Sequence, residues 1–250
     1  MFLSATYRRL LLPEKSEVDF VALRKVYCVT GIDTDVGKTV VAGLMARSFL
    51  KNGINVITQK IVQTGCKGIS EDIICHRELM GIDVLPEDVD GLTCPYRFSV
   101  PSSPHLAAEL EKSVIDCDKI KAATTKLLRQ FECVVLEGVG GLSVPLNNDM
   151  TVLDYLEREQ YPLVLVSSSK LGSINHTLNA LELAQKRNLE VVAIVYNLIG
   201  ETDPRIVNDS RIVFKRFLKK YDFPSNVIDL PEIKVSTMGN DIPDFFNALQ

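Results

Sequence analysis

The stretch Gly31-Ile-Asp-Thr-Asp-Val-Gly37-Lys38-Thr39 joins a short apolar run, residues 26–30, to a segment with apolar residues at Val40, Val41, Leu44, Met45, Phe49 and Leu50. That spacing is helical, so the loop leads from a strand into the start of a helix. The first turn of a helix has backbone N–H groups without intrahelical partners and the positive end of the helix dipole, and an anion binds there. Gly37 lets the backbone come close to phosphate. Lys38 can reach the β- and γ-phosphates of a nucleotide, and the Thr39 hydroxyl can bind Mg²⁺. Five residues separate the two glycines, where the commonest loop of this kind has about four. The longer spacing points to a subgroup of phosphate-binding loops.

Other residues suited to phosphate chemistry stand at the ends of apolar runs. Lys60 follows residues 55–59 and opens Lys60-Ile-Val-Gln-Thr64-Gly65. A lysine there can be a solvated surface residue, or it can stabilise a transferring phosphoryl group or an anionic substrate; its place at the carboxyl end of a strand favours the second. Glu137 ends the run 133–137 and precedes Gly138-Val139-Gly140-Gly141. A carboxylate delivered by an apolar strand can ligate Mg²⁺, and the glycines either leave room for phosphate or form a tight turn. Asp72 can cap the helix that follows it or supply a second carboxylate to the metal; both readings stay open. Lys170-Leu-Gly172-Ser173-Ile-Asn175-His176 is either a second anion-binding helix start or an ordinary one capped by Ser173. Asn197 ends residues 191–196 with an amide able to read a purine edge. His76, His105 and His176 have no metal-ligand spacing, and His105, after Pro104 at an expected helix start, reads as structural.

These residues need a scaffold, and the apolar pattern supplies one. Runs at 26–30, 55–59, 133–137, 163–167 and 191–196 read as buried strands. Helix-like segments separate them, most clearly Ile120, Ala123, Thr124, Leu127, Leu128 and Phe131. Continuous apolar strands alternating with helices imply an α/β fold, a mostly parallel sheet flanked by helices on both faces. Ligands in such sheets sit beyond the carboxyl ends of the strands. Residues 82–104, with Pro86, Pro95, Pro101 and Pro104, read as an irregular and functional loop region.

At 250 residues and 46% apolar, the chain accommodates one domain of this kind, here taken as 25–250. Residues 1–24 read as an N-terminal extension; Arg8 and Arg9 give it a faint targeting character that Glu14, Glu17 and Asp19 interrupt. No apolar run approaches the roughly 18 residues of a membrane span, and no secretory h-region is evident. Six cysteines without C-x-x-C spacing suggest neither a metal site nor a disulfide framework, and a reducing, cytoplasmic compartment is expected. A net charge of −4 argues against a nucleic-acid surface; the basic run Lys215, Arg216, Lys219, Lys220 reads as a solvated helix face.

Taken in order, Gly31–Thr39, Lys60–Gly65, Ser103-Pro-His105, Glu137–Gly141, Leu171–His176 and Asn197 resemble the motifs of the dethiobiotin synthetase family across roughly residues 25–235. The five-residue loop spacing is typical of that family. The resemblance implies a single-domain P-loop NTPase fold and closure of the ureido ring of dethiobiotin from 7,8-diaminononanoate, CO₂ and MgATP. It implies catalytic roles for Lys60, Lys38 and Thr34, and Mg²⁺ held by Thr39, Asp72 and Glu137. ATP would lie against Asp35, Val36, Gly37, Lys38, Thr39, Val40, Asp72, Glu137, Gly138, Val139, Gly140, Asn197, Leu198, Pro231 and Glu232. The diamine substrate would meet Thr34, Lys60, Thr64, Gly141, Gly172, Ser173, Ile174 and Asn175. In the family the Gly172–Asn175 segment reaches a partner subunit's site, so a homodimer is implied, with no nucleic-acid or membrane partner. Ile61 stands where the family often has proline, Val139 where alanine is common, and Asp229-Leu-Pro where Glu-Ile-Pro is usual. A switch ATPase of related fold would carry a second lysine near the start of the loop, where this chain has Ile32, Asp33 and Thr34. A regulatory relative would be expected to lack Lys60 or Glu137.

Overall fold

Successive residues in a strand point to opposite faces of a sheet, so a strand apolar at every position needs cover on both sides. The computed structural model, which describes residues 26–200, 203–233 and 243–249, shows this arrangement. In chain order the elements are β1 (Val26–Gly31), α1 (Lys38–Lys51), β2 (Val56–Lys60), β3 (Gln63–Thr64), α2 (Glu71–Met80), α3 (Pro86–Val89), β4 (Arg97–Phe98), α4 (Pro104–Leu110), α5 (Cys117–Leu127), β5 (Cys133–Gly141), α6 (Val152–Glu159), β6 (Leu163–Ser168), α7 (Ser173–Lys186), β7 (Val191–Asn197), α8 (Pro204–Lys220), β8 (Val227–Leu230) and α9 (Phe245–Ala248). The proposed extension, 1–24, lies outside the described residues.

The main sheet has the order β2-β5-β1-β6-β7-β8, and every neighbouring pair is parallel. Cys28, Val134, Leu136, Leu163 and Leu165 pack into one apolar layer, under residues of α5, α6, α7 and α8. Their strand neighbours Val29, Cys133, Val135, Val164 and Val166 pack into the other, under α1, α2 and α9. The chain leaves β1 toward β2 on one side and later builds β6 on the other, so the order reverses at β1. A crevice opens at such a reversal, beyond the strands' carboxyl ends.

The structure extends or corrects several expectations. β5 does not end at Glu137; it continues through Gly141, with Gly141 paired to Gly31 across the sheet. The glycines are therefore strand as well as clearance. β8, which pairs with β7 from Ile194↔Val227 to Asn197↔Leu230, has no strong apolar signature because at the sheet edge only Leu230 of its four residues is buried. The proline-rich stretch contains α3 and β4, and β4 pairs with β3 in a separate two-stranded sheet. Ser70, not Asp72, caps α2, its side chain accepting from the Ile73 N–H. Ser173 does not cap α7 either: Gly172 occupies that position in a left-handed conformation, and the Ser173 hydroxyl pairs with Ser168.

One buried ion pair ties the proline-rich stretch to α2. Arg77 and Asp88 meet in a two-pronged contact, Nε to Oδ2 at 2.9 Å and Nη2 to Oδ1 at 2.8 Å, and both residues are buried. Asp88 also accepts from the Leu85 N–H and the Thr93 hydroxyl. Burial works against its charge, but Arg77 and these donors hold the carboxyl below its ordinary range. The stabilisation is therefore present above the unfolded pKa and is lost as pH falls through the lower, folded one. Asp88→Ala strands a buried guanidinium, so a loss of about 3–5 kcal/mol is expected in urea unfolding. A loss below about 1 kcal/mol would mean that water or a neighbour takes over the carboxylate's place.

Candidate active site

The loop between β1 and α1 opens into a cavity of about 750 Å³. Thr34, Asp35, Gly37, Lys38, Thr39, Val40, Lys60, Thr64, Asp72, Glu137, Val139 and Gly140 line it, together with Val62, Gln63, the Pro101–Pro104 turn and Val144. Gly37 has φ of +100° and stands at the N-cap of α1. A side chain there would be strained, and a Cβ would lie 2.7 Å from Asn197 Nδ2. Gly140 (φ +58°) has a related reason to be glycine, since a Cβ would meet Val144 at 2.6 Å. Lys38 is buried, and its ammonium donates to the Asp33 carbonyl at 2.7 Å. Burial, reinforced by the charge of Lys60, lowers Lys38 to about 8.

The sheet register brings the charged groups together. Lys60, the last residue of β2, pairs directly with Glu137 of β5. Both are buried, and Lys60 Nζ lies 2.6 Å from Glu137 Oε1. The first turn of α2 turns Asp72 onto the same ammonium at 2.7 Å. Thr39 donates to Glu137 Oε1 at 3.0 Å. Burial disfavours the Lys60 charge, but Glu137 and Asp72 outweigh it and raise its pKa. Burial likewise opposes ionisation of Glu137, yet Lys60 and His76 hold its carboxyl down at about 2.

A divalent cation such as Mg²⁺ takes hard oxygen donors and completes its shell with phosphate and water. Thr39, Asp72 and Glu137 are oxygen donors converging beside the phosphate loop, so the residues present fit such an ion. Among the described residues no group of three or more His, Cys, Asp or Glu forms a metal cage. A shell completed by the nucleotide's own oxygens suits that donor set.

Sequence comparison places the chain among known enzymes. The chain is 46% identical over 211 residues to the ATP-dependent dethiobiotin synthetase BioD 2 of Pasteurella multocida, covering 84% of this chain and 99% of that one. It is 50% identical over 224 residues to the ATP-dependent dethiobiotin synthetase BioD of Chlorobaculum tepidum, covering 89% and 94%.

The chain belongs to the dethiobiotin synthetase family.

A family model described as "AAA domain" also matches residues 25–222. Among solved structures, a ParA family ATPase from Chlorobium tepidum is similar in fold, with a TM-score of 0.50, 14% identity and 90% of each chain covered. The fold is thus one that a ParA family ATPase also has.

Several residues that the family resemblance assigns stand outside the cavity. Val36 and Gly138 are buried, and Gly141 packs beside the backbone of Ile32. Asn197 donates to the Val36 carbonyl at 2.9 Å and accepts from the Ile199 N–H. Its amide thus braces the phosphate loop, and these two bonds use one of its N–H groups and one of its lone pairs. Leu198, Pro231 and the exposed Glu232 follow β7 and β8 at their carboxyl ends. Gly172, Ser173, Ile174 and Asn175 begin α7 and do not line the cavity, and Leu171 before them is fully exposed. Two features were missed from sequence. Ser102 lines the cavity, next to Ser103 of the Ser103-Pro-His105 motif, because β4 pairs with β3 and lays the following turn beside Thr64. His76 touches Glu137 at 2.9 Å. Its four-residue spacing from Asp72 was a legible sign that the two share a helix face.

Proposed function

We propose that this protein closes the ureido ring of dethiobiotin from 7,8-diaminononanoate, CO₂ and ATP, as the names of its relatives indicate. The observation that carries the reading is the register of Lys60 against Glu137, which sets a buried cation beside the phosphate loop in the same cavity. One amine of the diamine adds to CO₂ and gives a carbamate. A carbamate oxygen attacks the γ-phosphorus, ADP leaves, and a carbamic–phosphoric anhydride forms. The second amine attacks the carbonyl and expels phosphate as the ring closes.

Each step moves negative charge, so fixed cations are the main requirement. Lys38 would hold the β- and γ-phosphates, and Lys60 would face the carbamate and the transferring phosphoryl group. Thr34 and Thr64 would bind the carbamate end of the substrate. Thr39, Asp72 and Glu137 would hold Mg²⁺, which when bound neutralises phosphate charge. Asn197, Leu198, Pro231 and Glu232 would border the adenine. The Gly172–Asn175 helix start, which does not line its own cavity, fits the family's arrangement in which it completes a partner's site and binds the substrate carboxylate. The six free cysteines support a reducing cytoplasm, and no helix among the described residues is long and apolar enough to cross a membrane.

Phosphate release from MgATP is expected to require both the diamine and CO₂. A rate indifferent to the diamine would remove the ligase reading and favour a switch ATPase. Sedimentation of the same active sample is expected to show a dimer; a fully active monomer would rule out the shared site.

A further inference from the structure

We propose that His76 is a positioning residue for Glu137, holding one carboxylate oxygen inside the protein so that the other faces Lys60, Thr39 and a bound Mg²⁺ ion. The proposal rests on the reading of Glu137 as a metal ligand.

On α2, Asp72 and His76 are four residues apart and share a face. Asp72 reaches Lys60, and one turn later His76 reaches Glu137. His76 and Glu137 are both completely buried. His76 Nε2 lies 2.9 Å from Glu137 Oε2, and among the described residues neither atom is hydrogen-bonded to another group. Glu137 Oε1 meanwhile takes Lys60 and Thr39. The two oxygens of this carboxylate thus have different tasks.

The ring is oriented from behind. His76 Nδ1 lies 3.0 Å from Thr58 Oγ1, and that oxygen already accepts from Arg77 Nη1 at 2.8 Å. A guanidinium can only donate. The hydroxyl still has its own proton to give, and given to His76 Nδ1 that proton leaves the neutral ring's N–H on Nε2, facing Glu137. Arg77 is itself locked by Asp88. A buried chain, Asp88–Arg77–Thr58–His76–Glu137, therefore sets the carboxylate's direction. Partners behind a metal ligand commonly tune affinity in this way.

The test is ADP binding by calorimetry across a series of Mg²⁺ concentrations and in EDTA, with urea unfolding alongside. His76→Leu is expected to raise the Mg²⁺ requirement about 10- to 100-fold while leaving ADP affinity in EDTA unchanged. His76→Gln, whose amide offers a donor, is expected to recover most of the difference. Thr58→Val is expected to shift the requirement in the same direction, and it carries the test if His76→Leu does not fold. An unchanged Mg²⁺ requirement would overturn the proposal. So would an equal loss of ADP binding with and without Mg²⁺, which marks a merely structural histidine. No diamine is needed, so failure of the ligase reading and failure of this one are distinguishable.

Discussion

Lys60→Gln is expected to lower turnover about 10³-fold, the size of effect seen when a fixed charge-stabilising donor is removed from a transition state. The loss should fall on kcat more than on the KM for ATP, because Lys38 and the loop backbone still hold the nucleotide. The variant also leaves Glu137 and Asp72 without the cation they share. Removing one member of a buried ion pair costs about 3–5 kcal/mol, so circular dichroism and ADP binding must accompany the kinetics. A folded Lys60→Gln protein with kcat within about tenfold of the parent would take Lys60 out of the mechanism. A loss confined to the KM would assign it to binding alone.

Gly37→Ala is expected to weaken ATP binding by about 100-fold or more, read by calorimetric titration. Two physical effects act together. The left-handed conformation costs a residue with a Cβ about 1–2 kcal/mol. The new Cβ would also lie 2.7 Å from Asn197 Nδ2, which holds the Val36 carbonyl. Relief requires the loop or the asparagine to move, and a displacement of about 1 Å at a phosphate cradle is enough for a loss of this order. A Kd within about fivefold of the parent, roughly 1 kcal/mol, would show that the loop can move without losing its grip on phosphate.

Much of the fold was legible because its strands are covered on both faces. Continuous apolar runs marked β1, β2, β5, β6 and β7 to within a few residues. β8 escaped because a half-buried edge strand reads as mixed polarity, and Asp229 within it pairs with Arg211 of α8. β3 and β4 escaped because each is two residues long and stable only through the other. Sequence spacing also left Asp72 and Ser173 ambiguous between cap and ligand. The structure gives the cap of α2 to Ser70 and the N-cap of α7 to Gly172, so neither ambiguous residue is a cap.

By itself the sequence determined the phosphate loop and the family, since both rest on residues adjacent in the chain or kept in a fixed order. It also marked Lys60 and Glu137 as residues at strand ends. Their meeting was decided only by tertiary structure, because Lys60 and Glu137 are 77 positions apart and become neighbours through the strand order alone. The same holds for His76. Nothing local joins it to Glu137; the packing of α2 against the sheet brings the two buried groups to 2.9 Å.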